Sequence, residues 1–317
     1  MKGLSFIKEK IYKYENLGYR AQRTVKFYLG RIFLYFILIE LAFLFILPFI
    51  YIFTTALKSS ADYLDPTIKW IPTSVNWDNF TKAFKALNYF VAFKQSAIIA
   101  VVSCLGQIIA CGITGYGLGR YKFKGRNLLF GFVLLALLIP PQTIILSSYG
   151  IYATFKQIDS FVPVLLPAIL GHGLRGALFV LIFMYFFQRI PDAMADAARI
   201  DGAGPIRLFV QIMLPLVKSA IIIVGIFSFV WHWNDNYEAK MYLTKPGNMT
   251  LQPRLESINN YYSNAVYGAG APTGADKALT EPILFAGCLL VLLPVLIVYI
   301  VGQKHLAAGI ERIGVIE

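Results

Sequence analysis

Residues 190–219 read IPDAMADAARIDGAGPIRLFVQIMLPLVKS, a pattern typical of two short helices joined by a bend. Pro191 suits the first position of a helix, where its missing N–H costs nothing. Gly202 can adopt the left-handed conformation that ends a helix, and Gly204-Pro205 can start a second one. Apolar residues then recur at helical spacing, at Ile206, Phe209, Val210 and Met213. We expect this second helix to close at Pro215.

The first of these helices is rich in small residues. Four alanines favour the helix and give it a narrow cross-section, which allows another protein to approach closely. They are Ala193, Ala195, Ala197 and Ala198. Asp196, Arg199 and Asp201 could fix the register of such a contact. The same pattern also fits a helix that lies on lipid at the membrane surface, and the spacing alone does not separate the two interpretations.

The chain on both sides of this stretch is strongly apolar. Of the 317 residues, 57% are hydrophobic and 15% are charged, and the mean hydropathy is +0.63. Soluble domains carry about a quarter charged residues. This composition therefore indicates a chain that lies in a bilayer, and it excludes a disordered one. The net charge of +12 fits loop topology better than nucleic-acid binding, because no nucleic-acid-binding motif accompanies it.

Six apolar runs are long enough to span a membrane, which takes about 20 residues. They occupy residues 32–53, 96–118, 128–149, 161–187, 216–233 and 283–301. The first run is interrupted by Glu40 and Pro48, and the fourth is broken at Gly171-His172-Gly173. The predicted fold class is an all-α polytopic membrane protein with six transmembrane helices.

The distribution of basic residues predicts the orientation of these spans. Most of the 29 Lys and Arg residues lie in the N-terminal arm, in residues 120–126, in the loop between spans four and five, and in the C-terminal tail. Because basic segments stay on the cytoplasmic side, we expect both termini in the cytoplasm. The predicted organisation is a basic arm (1–31), a six-span domain (32–303) with a cytoplasmic loop (188–215) and an outer loop (236–281), and a tail (304–317).

The long cytoplasmic loop carries a recognisable motif. It contains Asp196-Ala197-Ala198, then Asp201-Gly202-Ala203, then Phe209, Ile212 and Leu214-Pro215-Leu216. This order resembles the EAA loop of permeases of ATP-binding-cassette (ABC) importers, whose pattern reads roughly EAAxxDGAxxxxxFxxIxLPL. Two departures are Asp196 in place of the usual Glu and Ser219 where Pro is common. In that family the loop is the coupling helix that docks into a cleft of the ATPase subunit.

Three other segments extend the resemblance to most of the chain. The turn GYGLGRYKFKGR (115–126), the segment FVWHWND (229–235) and the tail from residue 303 onward are similar to those of the second permease of maltose-type, binding-protein-dependent carbohydrate importers. The resemblance implies the type I importer permease fold, in an inner or plasma membrane. It implies an ATP-driven import system that moves a sugar or oligosaccharide.

The resemblance also implies partners and site residues. The partners are a second permease in a heterodimer, a dimer of ABC ATPases, an extracytoplasmic sugar-binding protein and membrane lipid. The implied ATPase-coupling residues are Asp196, Ala197, Ala198, Asp201, Gly202, Ala203, Phe209 and Pro215. In maltose-type relatives the outer loop before span six enters the binding protein and dislodges the sugar. This points to the tip containing Gly268, Gly270 and Gly274, for which a functionless surface tip is the alternative.

Motifs for catalysis or cofactor binding are missing from the sequence. No GxxxxGK[ST] phosphate-binding loop, HExxH metal site or GxSxG nucleophile occurs. We therefore expect a non-catalytic subunit without a metal or cofactor of its own. An ion-gradient-driven secondary transporter stays as the alternative, but it would need intramembrane acids as relays. Only Glu40 lies well inside a span, where it faces protein or snorkels to the inner surface.

Five further residues are candidates for the substrate pathway. His172 and Arg175 lie at the outer part of span four, where a guanidinium facing lipid is expensive. They could contact sugar hydroxyls, form a structural ion pair or anchor the outer surface. Trp231, Trp233 and Tyr237 lie at the outer end of span five. Such rings form aromatic belts at the membrane interface, and sugars also stack on them.

Overall fold

The computed structural model describes residues 2–267 and 274–314, with side chains described for residues 26–262 and 280–304. Within these residues the chain is helical and contains no β-strand, as the sequence predicts. The helices are α1 (Lys2–Ala56), α2 (Ser60–Leu64), α3 (Asp78–Leu87), α4 (Tyr89–Arg120), α5 (Arg126–Leu138), α6 (Pro141–Thr154), α7 (Val162–Ile169), α8 (Gly176–Gln188), α9 (Asp192–Ile200), α10 (Pro205–Arg207), a π-helix (Leu208–Met213), α11 (Leu214–Leu216), α12 (Lys218–Trp233), α13 (Tyr237–Tyr242), α14 (Leu251–Glu256), α15 (Ile258–Tyr267) and α16 (Gly274–Gly314).

The described helices provide three to six membrane spans by length and composition. Three segments are long and apolar enough on their own, at Lys26–Ala56, Tyr89–Arg120 and Thr280–Lys304. Three further apolar helices each join a neighbour through a sharp bend. The bends are 97° between α5 and α6, 72° between α8 and α9, and 76° between Pro205–Leu216 and α12.

The third apolar run differs from the sequence expectation. The sequence predicts one span over residues 128–149, but α5 ends at Leu138 and α6 starts at Pro141 after the 97° bend. Pro140 and Pro141 lack the N–H groups that would continue the ladder, and a residue that precedes proline is disfavoured in the helical region. Ile139 is accordingly extended, with ψ of 116°. The hydropathy of the run conceals this break.

The predicted break in the fourth run is confirmed. Helix α7 ends at Ile169 and α8 begins at Gly176. Between them the backbone enters the left-handed region at Gly171, Gly173 and Arg175, with φ of +79°, +21° and +59°.

Helix α4 forms the centre of the packing and lies against α7, α8 and α12. Small residues allow the close approach. An added Cβ at Gly115 would lie 2.6 Å from the Cβ of Phe183 on α8, and one at Gly106 would lie 2.8 Å from the Cα of Ile169 on α7. Small residues are the usual means by which helices approach closely in a membrane, where lipid is as apolar as the helix surface.

The loops gather at two opposite ends of α4. At the basic end, defined as residues 120–126 and 188–217, the Arg120 guanidinium donates a 2.6 Å hydrogen bond to the Ile190 carbonyl. At the loop end, defined as residues 57–88 and 234–262, Asn79 donates to the carbonyls of Ala56 and Lys58. This separation puts the motif-bearing loop at one end and the long polar loops at the other.

Helix α1 contributes little to the packing until its last turns. Side chains from residue 26 to residue 53 are almost all exposed, including Glu40. Contact with the rest of the chain is made near the C-terminal end, where the Tyr51 ring lies 5.6 Å from that of Phe285. The apolar surface of α1 therefore needs lipid or another protein around it.

Candidate functional site

The basic end carries the helix–bend–helix structure that residues 190–219 predict. Helix α9 ends in a left-handed Gly202 with φ of +78°. The Gly202 amide donates to the Arg199 carbonyl at 3.0 Å, and the Ala203 amide donates to the Ala198 carbonyl at 2.9 Å. These two bonds form a Schellman motif, which satisfies the last carbonyls of the helix. The conformational prediction for Gly202 is confirmed.

One face of this loop is fixed to the ends of α4 and α8. Ala195, Ala198, Leu208 and Met213 are buried in a cluster that also contains residues of those two helices. The Phe209 ring lies 4.9 Å from the Tyr116 ring and 6.2 Å from the Phe187 ring. Phe209 is therefore the aromatic anchor of the second helix against α4 and α8.

Arg120 is a second anchor that the sequence did not single out. Besides its bond to the Ile190 carbonyl, it pairs with the Asp192 carboxylate at 2.7 Å. The Arg120 side chain is 10% exposed and that of Asp192 is 89% exposed, and the pair joins the end of α4 to the first turn of α9. Asp192 also lies at the positive end of the α9 dipole. The only sequence signal was the position of Arg120 directly before the basic turn.

The opposite face of the loop is exposed and mixed in character. Asp196 and Arg199 form an exposed ion pair of 2.9 Å, and Ala197 and Asp201 are exposed beside it. Two large apolar side chains flank the bend, with Ile200 85% exposed and Ile206 80% exposed. Exposed aliphatic groups next to fixed charges are features of a protein-docking surface. Ala198 faces inward, and Ala203 is partly buried.

The second helix ends one residue after Pro215. The helix continues to Leu216, and the 76° bend into α12 follows at Val217. Directly before the proline, Leu208–Met213 is π-helical, and the Leu214 amide donates to the Phe209 carbonyl five residues back. The backbone hydrogen bonds have therefore already changed from the α-helical to the π-helical pattern before Pro215. The missing N–H of Pro215 is accommodated there without a break in the helix.

A cavity of about 390 Å³ lies between the two broken runs, α5–α6 and α7–α8, and α13. His172 and Arg175 line it, together with Ser148, Tyr152, Glu238 and Tyr242. The remaining wall is mostly apolar. Residues beside both breaks, Pro141 and Ile139 at the first and His172 and Gly173 at the second, belong to its wall.

The aromatic candidates have different environments. Trp231 is partly buried, and the Arg175 guanidinium lies over its ring at 5.6 Å. Trp233 is 2% exposed and donates its indole N–H to the Val291 carbonyl at 3.1 Å. This placement favours a packing role for Trp233 between α12 and α16. Tyr237 is 47% exposed at the start of α13.

Glu238 is a cavity residue that the sequence analysis missed. Helix α13 positions it, and the Asp235 carboxylate caps that helix by accepting the N–H groups of Tyr237, Glu238 and Ala239 at 3.2, 3.3 and 3.0 Å. Burial raises the pKa of the Glu238 carboxyl to about 8, and the Asp235 carboxylate adds to this effect. No local motif could reveal the residue, because it reaches the cavity only through the fold of the loop end.

The described residues include only part of the tip of the outer loop. Gly268 and Gly270 lie outside the described residues, and Gly274 is the first residue of α16. The structure therefore does not test the role expected for this tip. Among the described residues no cluster of His, Cys, Asp or Glu could hold a metal ion.

Comparison with known proteins places these features in a family. Residues 111–312 match the model of the binding-protein-dependent transport system inner membrane component. The arabinooligosaccharides transport system permease protein AraQ of Halalkalibacterium halodurans is 27% identical, over 87% of this chain and 92% of the relative. The melibiose/raffinose/stachyose import permease protein MelC of Bacillus subtilis is 26% identical, over 84% and 89%.

Another relative and a solved structure agree with this result. The probable starch degradation products transport system permease protein AmyC of Thermoanaerobacterium thermosulfurigenes is 28% identical, over 90% of this chain and 97% of the relative. A chain in the crystal structure of a bacterial ABC transporter involved in the import of the acidic polysaccharide alginate has a similar fold. The TM-score is 0.69 at 18% identity, over 87% of this chain and 96% of that one. The family match covers well over half of the chain, which therefore belongs to the binding-protein-dependent transport system inner membrane components.

Proposed function

We propose that this chain is the permease subunit that couples ATP hydrolysis by separate subunits to the import of a sugar or oligosaccharide. The observation that carries the proposal is the exposed helix–bend–helix loop at the basic end, fixed on its inner face to α4 and α8. Relatives whose names refer to arabinooligosaccharides, to melibiose, raffinose and stachyose, and to starch degradation products support a carbohydrate substrate. Family membership favours this function over that of a secondary transporter.

In this proposal the outer face of the loop docks into the ATPase subunit. Ile200 and Ile206 supply apolar contact area, and Asp196 with Arg199 sets the register. When the ATPase dimer closes, it displaces the loop. The Phe209 contacts and the Arg120–Asp192 pair transmit that displacement to α4 and α8. Access to the pathway then alternates between the two sides of the membrane.

The proposed topology has six spans with both termini cytoplasmic. The loop end then faces outward, towards an extracytoplasmic binding protein. A second permease covers part of the apolar surface, including that of α1, and lipid covers the rest. The tip that contains Gly268 and Gly270 contacts the binding protein in this arrangement.

The proposed pathway residues are His172, Arg175, Trp231 and Tyr237. His172 and Arg175 line the cavity at the breaks in the helices, and Arg175 reaches the Trp231 ring. Tyr237 begins the helix that carries Glu238. His172 and Arg175 lie on irregular backbone between α7 and α8, and such backbone inside a membrane protein is expected to line a cavity or a protein contact.

The test is uptake by the complete complex in proteoliposomes. The chain is purified with the subunits that accompany it, and uptake of labelled oligosaccharides is measured with and without ATP. The proposal expects an ATPase in the purified complex and uptake that needs ATP. Uptake driven by a proton or sodium gradient alone would refute it.

A further inference from the structure

The cavity between α5–α6, α7–α8 and α13 carries polar side chains that have no partner. Among the side chains that the structure describes, Arg175 forms no ion pair or hydrogen bond, and its one recorded contact is the Trp231 ring. The Glu238 carboxyl and the His172 ring also form none. In the single chain His172 and Arg175 are exposed and Glu238 is half-buried. Polar groups without a partner beside a largely apolar cavity are features of a ligand site.

The backbone that carries these groups is held by the fold. The Gln107 side chain donates a 2.9 Å hydrogen bond to the Leu174 carbonyl, directly before Arg175. Gly176 allows the chain to pass tightly there, since an added Cβ would lie 2.3 Å from the Gly171 carbonyl oxygen. On the opposite wall, the capping carboxylate of Asp235 fixes the start of the helix that carries Glu238. The cavity is therefore preformed, which lowers the cost of binding.

The rest of the wall suits a sugar ring. The Tyr152 and Tyr242 rings meet edge to face, 5.6 Å apart, and apolar side chains of α5 and α6 complete the wall. A volume of about 390 Å³ lies in the range of small-molecule sites. The site thus combines an amphipathic wall with three groups able to bond hydroxyls or a charged substituent.

The charge of the cavity indicates which substituent a bound sugar ring carries. Arg175 is always ionised and lacks a counter-ion in the described chain, so it favours an anionic ligand and can bind a carboxylate in a bidentate manner. Since burial raises the pKa of Glu238 to about 8, this carboxyl is mostly neutral near pH 7 and can donate a hydrogen bond. The cavity then carries the positive charge of Arg175.

We infer that this cavity is a binding subsite for a sugar unit that bears a carboxylate, with Arg175 pairing to that carboxylate and His172 and Glu238 bonding its hydroxyls. The inference rests on the proposed function as a sugar permease. It names a substrate class and assigns Glu238 to the site.

Binding to the purified complex, without binding protein and in nanodiscs, tests the inference. The probes are digalacturonate and its neutral counterpart, a galactose disaccharide, and the readout is quenching of tryptophan fluorescence. A charge-assisted bidentate contact predicts that digalacturonate binds about tenfold or more tightly. Arg175→Gln should make the two affinities equal, and Arg175→Lys should keep part of the preference. The matched control Lys85→Gln removes one exposed positive charge at the loop end and should keep the full preference for digalacturonate.

If the Arg175→Gln variant does not assemble into the complex, Glu238→Gln gives a second measurement. The groups that share the cavity with Glu238 are His172, Arg175, Tyr152 and Tyr242, and Asp235 lies on its own segment. As the pH rises from 7 to 9, ionisation of Glu238 should weaken digalacturonate binding to the unaltered protein more than to the Gln variant. Other titrating groups are the same in both proteins.

Equal binding of the two probes, tighter binding of the neutral one, or an unchanged preference in Arg175→Gln would overturn the inference. If a complex that gives one of these results still imports a neutral oligosaccharide with ATP, the proposed function stands and only the acidic subsite is refuted. If the complex imports no sugar with ATP, the proposed function itself fails.

Discussion

Replacement of Gly202 by valine tests whether the bend at the basic end couples ATP hydrolysis to transport. The Gly202 φ of +78° is strained for any residue with a Cβ, and no neighbouring atom lies within 4 Å of an added Cβ. The substitution therefore acts through the backbone alone, at about 1–2 kcal/mol. That free energy lowers the population of the native bend by a factor of roughly 5–30. Gly204 is a matched control, since its φ of −70° suits any residue and its Cβ position is also open.

The assay for this prediction is the ratio of ATP hydrolysed to sugar imported in proteoliposomes. Gly202→Val should raise the ratio several-fold while the chain still inserts and the complex still purifies. Gly202→Asn should have an intermediate effect, because asparagine tolerates the left-handed region, and Gly204→Ala should behave like the unaltered protein. A normal ratio in the valine variant would refute the coupling role of the bend.

Three other predictions concern packing, pH dependence and topology. Gly115→Ala puts a Cβ 2.6 Å from the Phe183 side chain and forces α4 and α8 apart, so it should lower the stability of the purified complex by about 1–3 kcal/mol in thermal unfolding. Gly117→Ala, which has open space around it, should leave that stability unchanged. Burial raises the pKa of Glu238 in the folded state to about 8, above the ordinary value of 4.5, so ionisation opposes folding as the pH rises. Glu238→Gln should therefore stabilise the protein, and the gain in the free energy of unfolding should grow from about pH 4.5 to pH 8 and stay constant above pH 8. A gain that does not depend on pH would refute this prediction. A cysteine that replaces Ser257 should react with an impermeant maleimide in intact cells. A cysteine that replaces Asn127 should react only after permeabilisation. The reverse pattern would overturn the proposed orientation.

The features that sequence could predict are those that depend on neighbouring residues. The left-handed Gly202 follows from a glycine directly after a helix-forming run. The break in the fourth run follows from its two glycines. The third run contained an equally local signal in Pro140-Pro141, but hydropathy measures composition and does not register the missing N–H groups. The end of the second helix lies one residue after Pro215, close to where the proline predicts it.

The features that sequence could not predict depend on contacts between distant segments. Glu238 reaches the cavity because α13 packs against α6 and α7. Arg120 looked like one of several topological charges, and its pairing with Asp192 becomes visible only once α9 folds back beneath α4. Trp233 has the sequence position of an interface aromatic, yet its burial against α16 depends on a helix about fifty residues further along the chain.

The central claim is that the exposed face of the loop at the basic end contacts an ATPase subunit, and site-specific photocrosslinking tests it directly. A benzophenone amino acid replaces Ala197, which is exposed on the outer side of α9, and the same residue replaces Lys85 at the loop end as a control. In a complex that imports sugar with ATP, irradiation should join the Ala197 position to an ATPase subunit and the Lys85 position to none. If the Ala197 position gives no ATPase adduct in such a complex, or if the Lys85 position gives one, the account is contradicted.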